Sequence, residues 1–251
     1  MSGHSKWANI KHRKGAQDAK RSKIFTRIIK ELTVATKEGG AEGETNPRLR
    51  TAIQNAKGVN MPKDTIERTI KKASGSDGIN YEEVTFEGYA INGVAIFVEC
   101  TTDNNNRTVA NIRAIFSKYG GSLGTNGSLE FIFDRKGVFA ISSKKMNMDL
   151  EELEMELIDD GLEELEKEND IILVYTNFND FSTMQKKLED FEIEVQSADL
   201  QRIPNTTKTL SVDKSKSILK MIDKFEEDED VQNVFHNLEM TDELMVTLKS
   251  A

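Results

Sequence analysis

Apolar side chains at Ile24, Phe25, Ile28, Ile29, Leu32 and Ala35 recur with a helical period, while Lys20, Lys23, Arg27 and Lys30 fall on a different stripe. The spacing predicts a helix that starts at Ser22 as N-cap, stops at Gly39-Gly40, packs with one side and shows cations on the other. Asn46-Pro47 reads as the N-cap and first residue of a second helix, with Leu49, Ala52, Ile53 and Ala56 inward and Gly58 as its stop. Met61-Pro62-Lys63-Asp64 opens a third, with Ile66, Ile70 and Ala73 inward. Residues 3–21 carry no apolar period and read as an extended or partly disordered basic arm, and Gly75–Gly78 reads as a linker.

The period then changes to two. Tyr81–Tyr89 and Gly93–Thr101 are predicted strands about a turn at Ile91-Asn92. Asn104–Tyr119 is a helix with Val109, Ile112, Ile115 and Phe116 inward, and Leu129–Phe133 a strand. Past a break at Asp134–Gly137 come strand Val138–Ser142, helix Asp149–Ile158, strands Leu162–Glu166 and Ile171–Thr176, helix Asp180–Leu188 and strand Ile193–Arg202. That order, βαββαβ, is ferredoxin-like. Strand Thr209–Val212, helix Ser215–Phe225 and strand Val231–Leu238 are too few for a domain, so they are expected to return and complete the sheet begun at Tyr81. The expected fold class is α+β. A basic three-helix domain with its arm occupies 1–78, an α+β domain 79–134 plus 205–251, and a second, ferredoxin-like α+β domain is inserted at 135–204.

Charge adds a partner to this picture. The chain carries formal charge −9, yet residues 1–72 hold 17 Lys and Arg against 7 Asp and Glu, and the rest holds 17 against 36. A basic segment on an acidic body points to a polyanion. Lys6, Lys11, Arg13, Lys14, Lys20, Arg21, Lys23, Arg27 and Lys30 are candidate phosphate contacts. Trp7 and His12 can stack on bases that are unpaired or splayed, although Trp7 can equally pack on its own domain. Lys63, at a helix start, can meet a phosphate, but an ordinary capped helix explains that stretch as well. Thr102–Thr108 reads first as a structural cap; a functional version would aim Arg107 at an anion. The acidic runs Glu151–Glu168 and Glu226–Asp230 read as solvated faces rather than a divalent-metal site, and they would confine phosphate binding to the N-terminal domain.

Other chemistry finds little support. Cys100 is the only cysteine, sits mid-strand and reads as core, so no internal disulfide forms. His4, His12 and His236 lack metal-ligand spacing, and no GxSxG or phosphate-cradling loop is present. No enzyme activity, cofactor or metal is therefore expected; a metal-dependent hydrolase would need carboxylates converging beside the basic domain. Apolar runs such as Val94–Val98 are strand-sized, and the N-terminus has no signal-like apolar stretch, so a cytoplasmic protein without a membrane partner is expected.

GHSKWANIKHRKGAQDAKR at 3–21, NMPKDTIERTIKKASG at 60–75, TTDNNNRTVANIR at 101–113 and EDEDVQNVFHNLEM at 227–240 together resemble the YebC family, in order and along nearly the whole chain. That family includes bacterial proteins labelled probable transcriptional regulators and a mitochondrial translational activator of cytochrome c oxidase. The resemblance implies a helical N-terminal domain and two α+β domains. It implies either DNA binding in transcriptional control or a ribosome-bound role in translation, including relief of stalling at proline-rich stretches. The arm resembles tails that thread folded RNA, and no coiled coil or repeated half suggests a symmetric dimer on palindromic DNA. The expectation is a monomeric nucleic-acid-binding regulator that holds ribosomal RNA or tRNA on the ribosome, with DNA as the alternative ligand.

Overall fold

The structure, a computed structural model, describes residues 17–75, 79–146 and 148–249; the side chains of residues 17–20, 145, 168 and 249 lie outside the description. The described residues form eight α-helices and two four-stranded sheets. Contacts divide the chain into two compact units. One comprises the residues up to Arg27, Asn80–Asp134 and the chain from Ile203 onward; the other comprises Ile28–Ile79 and Arg135–Arg202.

The first unit is built on β1 (Glu82–Tyr89) and β2 (Ala95–Thr102), which pair antiparallel from Glu82 opposite Thr102 to Tyr89 opposite Ala95. Asn92 takes a left-handed φ of 61° in the tight turn between them, where Asn is tolerated better than most residues. β2 also pairs with β8 (Val231–His236), and β3 (Ser122–Leu123) closes the far edge, giving the order β3-β1-β2-β8. The last segment thus returns to the sheet begun near Tyr81, as the element count predicts. Ile96, Val98 and Cys100 face α4 (Asn105–Lys118) and α7 (Val212–Glu226), where the rings of Phe116 and Phe225 lie 5.0 Å apart. Ala95 and Phe97 face the other way, onto Leu129, Phe133 and Phe235. Burial on both faces is why β2 reads as a continuous apolar run rather than an alternation.

The second unit holds α1 (Gln17–Gly39) from Ile28 on, α2 (Pro47–Gly58), α3 (Lys63–Ala73), β4 (Phe133–Ser142) from Arg135 on, α5 (Leu150–Ile158), β5 (Leu162–Glu168), β6 (Ile171–Asn177), α6 (Phe181–Asp190) and β7 (Val195–Pro204) up to Arg202. Its sheet order, β5-β6-β4-β7, is ferredoxin-like. Phe139, Ile141, Ile172 and Val174 pack on Leu153, Leu157, Met184 and Leu188. The alternate residues Val138, Ala140, Leu173 and Tyr175 are buried as well, so neither face of the sheet is open.

Side-chain amides join the helices of this unit to one another and to its sheet. Asn46 accepts from Leu49 N–H at 3.0 Å, capping α2, and donates to the Ala35 and Gly40 carbonyls at the end of α1 at 2.7 and 2.8 Å. Asn55 donates to Ala198 O and accepts from Ala198 N, both at 2.8 Å, and so occupies the edge of β7 as a strand would. Thr51 and Gln54 each bond buried Gln185 of α6 at 2.9 Å. A Cβ on Gly58 would stand 1.9 Å from the Gln196 carbonyl oxygen, so this glycine is a point of backbone approach as well as a helix stop.

Several expectations change. α1 begins by Gln17, not Ser22, so residues 17–21 are helical rather than part of an extended arm; Gln, Ala, Lys and Arg are good helix formers however polar they are. The middle of α1 is enclosed on all sides, with Lys30, Leu32, Thr33, Val34, Ala35 and Thr36 all buried, while Ile24, expected inward, is 40% exposed. The hydroxyls of Thr33 and Thr36 donate to the Ile29 and Leu32 carbonyls, which lets polar residues sit inside. Leu129–Phe133 is a single 3-10 turn (Glu130–Ile132) leading into β4. β4 runs straight through the expected break at Asp134–Gly137, because Lys136 and Gly137 pair with Asn177 and Thr176. Thr209–Val212 forms no strand; Lys208 makes one bridge to Leu238, and Val212 already begins α7. β8 ends at His236, where the Asn237 side chain takes over the ladder by accepting from Ala95 N–H at 2.8 Å. Helix α8 (Asp242–Lys249), not predicted, adds Leu244 to the core beside α4 and α7.

Gly58→Ala is expected to force β7 away from α2 and to lower stability by about 2 kcal/mol or more, since backbone rather than a movable side chain is struck; chemical denaturation measures it, and an unchanged midpoint would contradict the close approach.

His236 is wholly buried, and desolvation lowers its pKa to about 4 against an opposing hydrogen bond to the Leu238 backbone. The unfolded imidazole, near 6.5, then binds more protons than the folded one, so stability falls as pH drops from about 6.5 toward 4. Between pH 7 and 4.5 the wild type is expected to lose about 2–3 kcal/mol more than His236→Gln, read by urea unfolding at both pH values.

Candidate nucleic-acid interface

The helical segments carry most of the expected cations, and the structure divides them. Lys6, Trp7, Lys11, His12, Arg13 and Lys14 lie outside the described residues, as does the side chain of Lys20, whose backbone belongs to the first turn of α1. Arg21 is exposed, its guanidinium 5.4 Å from the centroid of the Phe25 ring. Lys23 is half-buried; with Lys224, the nearer partner, it helps to hold the Glu227 carboxyl below its ordinary pKa.

Arg27 turns inward. Its Nε donates to Val231 O at 3.1 Å and one terminal nitrogen to Glu226 O at 2.9 Å, satisfying a carbonyl left open at the last turn of α7. Burial pulls its pKa below the ordinary arginine value, with Glu226 opposing. Lys30 is 6% exposed. The expected open cationic stripe is therefore interrupted at Arg27 and Lys30, because the helix is enclosed there rather than one-sided.

Lys63 remains outside. Its side chain is 86% exposed and 3.5 Å from Glu67. Arg68, Lys71 and Lys72 are also exposed on α3, opposite its inward Ile66, Ile70 and Ala73. At about 100° per residue these cations cover the C-terminal half of the outward face, while Asp64 and Glu67 occupy its first turns. The sequence reading did not single out Arg68, Lys71 and Lys72, although their helical spacing was visible there.

The Thr102–Thr108 stretch is structural. Asn104 caps α4 by accepting from Arg107 N–H at 3.1 Å. The Arg107 guanidinium lies 2.7 Å from Asp230 and 2.8 Å from Asp103, and these hydrogen bonds raise its pKa above the ordinary arginine value. Thr108 Oγ1 donates to the same Asp230 at 2.9 Å. Arg107 is thus committed to carboxylates of its own unit and is not aimed at an external anion. Asp230, expected on a solvated acidic run, is buried to complete this pair, whereas Glu151, Glu152 and Glu154 on α5 are exposed as expected.

A further carboxylate was not legible as special. Glu87, on β1, is buried and accepts from Gly127 N and Leu129 N at 2.6 Å each, pinning the loop before β4. An open groove of about 400 Å³ between α4 and α7 is lined by Asn111, Ile115, Lys118, Lys224, Glu227 and Asp228. Lys224 is held by Glu227 at 2.6 Å and Asn111 by Asp228 at 2.9 Å, so the groove balances its own charge. Among the described residues no group of three metal-ligating side chains converges, and no helix is long and apolar enough to cross a membrane.

Comparison with known proteins covers both units. Residues 5–76 match the family model for the TACO1/YebC protein N-terminal domain, and residues 81–238 match that for the TACO1/YebC second and third domain. A protein of Amoebophilus asiaticus named "probable transcriptional regulatory protein" is 50% identical over 240 residues, covering 95% of this chain and 98% of its own. One of Porphyromonas gingivalis with the same name is 54% identical over 217 residues, covering 86% and 89%. The crystal structure of a conserved hypothetical protein from Aquifex aeolicus superimposes with a TM-score of 0.84 at 38% identity, covering 95% of this chain and 98% of that one.

The division of the cations has a direct consequence. Arg27→Met is expected to lower stability by about 2 kcal/mol, because it leaves two carbonyls without a charged donor, while the salt dependence of any polyanion binding stays the same. Arg21→Met is expected to do the reverse. Thermal unfolding and a salt titration of each variant on heparin separate the two.

Proposed function

The chain belongs to the TACO1/YebC family, and on that premise we propose that it is a regulator of gene expression that acts on the ribosome, holding ribosomal RNA or tRNA through its cationic N-terminal arm. One observation carries this reading. The first thirty residues hold nine Lys and Arg against Asp18 alone, together with the only tryptophan, in a chain of net charge −9. Each cation set against a phosphate releases counterions, which supplies affinity without sequence preference.

The placement of the other groups supports the arm as the binding element. Arg27 and Arg107 are engaged within the fold and Lys30 is enclosed, whereas Arg21, Lys57, Lys63 and the α3 cations Arg68, Lys71 and Lys72 are exposed beside the segment that carries the arm. The ferredoxin-like sheet is buried on both faces, so stacking of bases on an open four-stranded sheet does not apply. Trp7 and His12 among the cations suit RNA, whose loops offer unstacked bases that duplex DNA withholds. The reading takes the protein as a cytoplasmic monomer without catalytic role or cofactor. The relatives' name, "probable transcriptional regulatory protein", supports the broader statement of a regulator and favours duplex DNA as the alternative ligand.

The full chain is expected to cosediment with ribosomes at low salt and to leave them at high salt. Replacing Lys11, Arg13 and Lys14 together by Ala is expected to reduce the magnitude of the log–log salt slope by about 2–3. Trp7→Ala is expected to leave the slope unchanged and to cost about 1–3 kcal/mol on ligands with unpaired bases only. Selection of one DNA site by about a thousandfold or more over random duplex, without ribosome cosedimentation, would overturn this reading in favour of a transcription factor.

A further inference from the structure

Phe131 is 72% exposed, on the single 3-10 turn Glu130–Ile132. A large aromatic so placed gains nothing from burial, yet the turn around it is held from three directions. The buried Glu87 carboxylate accepts from Gly127 N and Leu129 N at 2.6 Å each. Asn205 donates from its side chain to Phe131 O at 2.8 Å and from its backbone to Ile132 O at 2.9 Å. Leu129 and Phe133, on either side, are buried in the core layer with Phe97. The ring is thus displayed on a fixed mount, so inserting it into a partner orders no loop and loses little entropy.

Charge selects the kind of partner. Glu130, on this turn, and Asp134, at the start of β4, are the charged residues within three positions of Phe131, and both are exposed. Two carboxylates beside the ring repel a phosphate backbone, which disfavours stacking on a nucleic-acid base, and they attract a cationic rim. We propose that Phe131 is an anchor for protein, inserting into an apolar pocket rimmed by Lys or Arg on a protein of the ribosome. This rests on the ribosomal reading above and adds to it a second contact, centred on an apolar side chain, made by a different part of the chain. The arm supplies attraction to RNA, and Phe131 supplies a fixed apolar point of attachment.

The test uses the full chain, purified ribosomes, and ribosomal RNA freed of protein from the same particles. Phe131→Ala is expected to weaken ribosome binding at least about tenfold with the salt slope unchanged, to leave binding to free RNA as it was, and to unfold at the wild-type temperature. Glu130→Lys is expected to weaken ribosome binding too, by setting like charge against the rim. An unchanged ribosome affinity for Phe131→Ala overturns the inference. Equal loss on free RNA, or tighter ribosome binding by Glu130→Lys, overturns it in favour of a base as the ring's partner. A change in self-association of Phe131→Ala, measured on the protein alone, overturns it in favour of a second copy of this chain. Absence of wild-type ribosome binding removes the functional reading and the inference together, and is distinguished from the other failures by the wild-type measurement alone.

Discussion

A strand buried on both faces cannot leave its hydrogen-bonding edge empty. β2 is such a strand, and its open edge is filled by β8 from about 130 residues further on. Much of the first unit depends on that return. The chain arriving at β8 passes through Glu226–Val231, and this turn takes bonds from several directions: Arg107 and Thr108 to the Asp230 carboxylate, Thr101 N–H to the Asp230 carbonyl, and Arg27 to the carbonyls of Glu226 and Val231. A buried carboxylate in this place is tolerated because its oxygens are occupied by a guanidinium and a hydroxyl. Beyond β8, the Asn237 amide continues the ladder against Ala95 where the strand itself has stopped.

The same constraint recurs at β7 in the second unit and is met by other means. Instead of a further strand, Asn55 on α2 presents one amide to both backbone groups of Ala198, and Gly58 lets the helix end come against Gln196. Covering an edge with a helix blocks the pairing with another chain that an exposed strand invites. The helices of residues 28–79 are therefore joined to this sheet by short polar contacts and backbone proximity. The bonds from α2 to Gln185 and Ala198 are made by uncharged side chains.

That choice bears on function. The lysines and arginines of α3 remain on an outward face, opposite its buried Ile66 and Ala73. Arg27, drawn into the fold, meets two carbonyls placed for it, and Arg107, although exposed, is held by the carboxylates of Asp103 and Asp230. The fold thus engages some members of one residue type and leaves others exposed. The division of labour extends to Phe131, whose mount consists of the buried Glu87 and of Asn205 and whose ring is left outside.

What the sequence by itself determined was local. Periodicity located most of the elements: α4 and α5 begin one residue after the predicted Asn104 and Asp149, which serve as their caps, and Asn46-Pro47 opens α2 as read. Element order also determined the ferredoxin-like arrangement and the return of the last strand, since a strand with one free edge and a segment too short to stand alone leave few other solutions. The charge asymmetry, a property of composition, was legible without any fold. Tertiary structure decided whatever depends on a neighbour distant in the chain. The start of α1 is hidden in the sequence because polar residues of high helix propensity carry no apolar period, and its enclosed middle because a helix surrounded on all sides has no polar face to announce. Asp230 and Glu87 look like any other acid in sequence; only the arrival of Arg107 and Thr108 at the first, and of the Gly127 and Leu129 amides at the second, makes them interior groups. The fate of each lysine and arginine is likewise unreadable from its own position, because a cation is drawn inward only where another part of the chain supplies the oxygen that compensates its lost water.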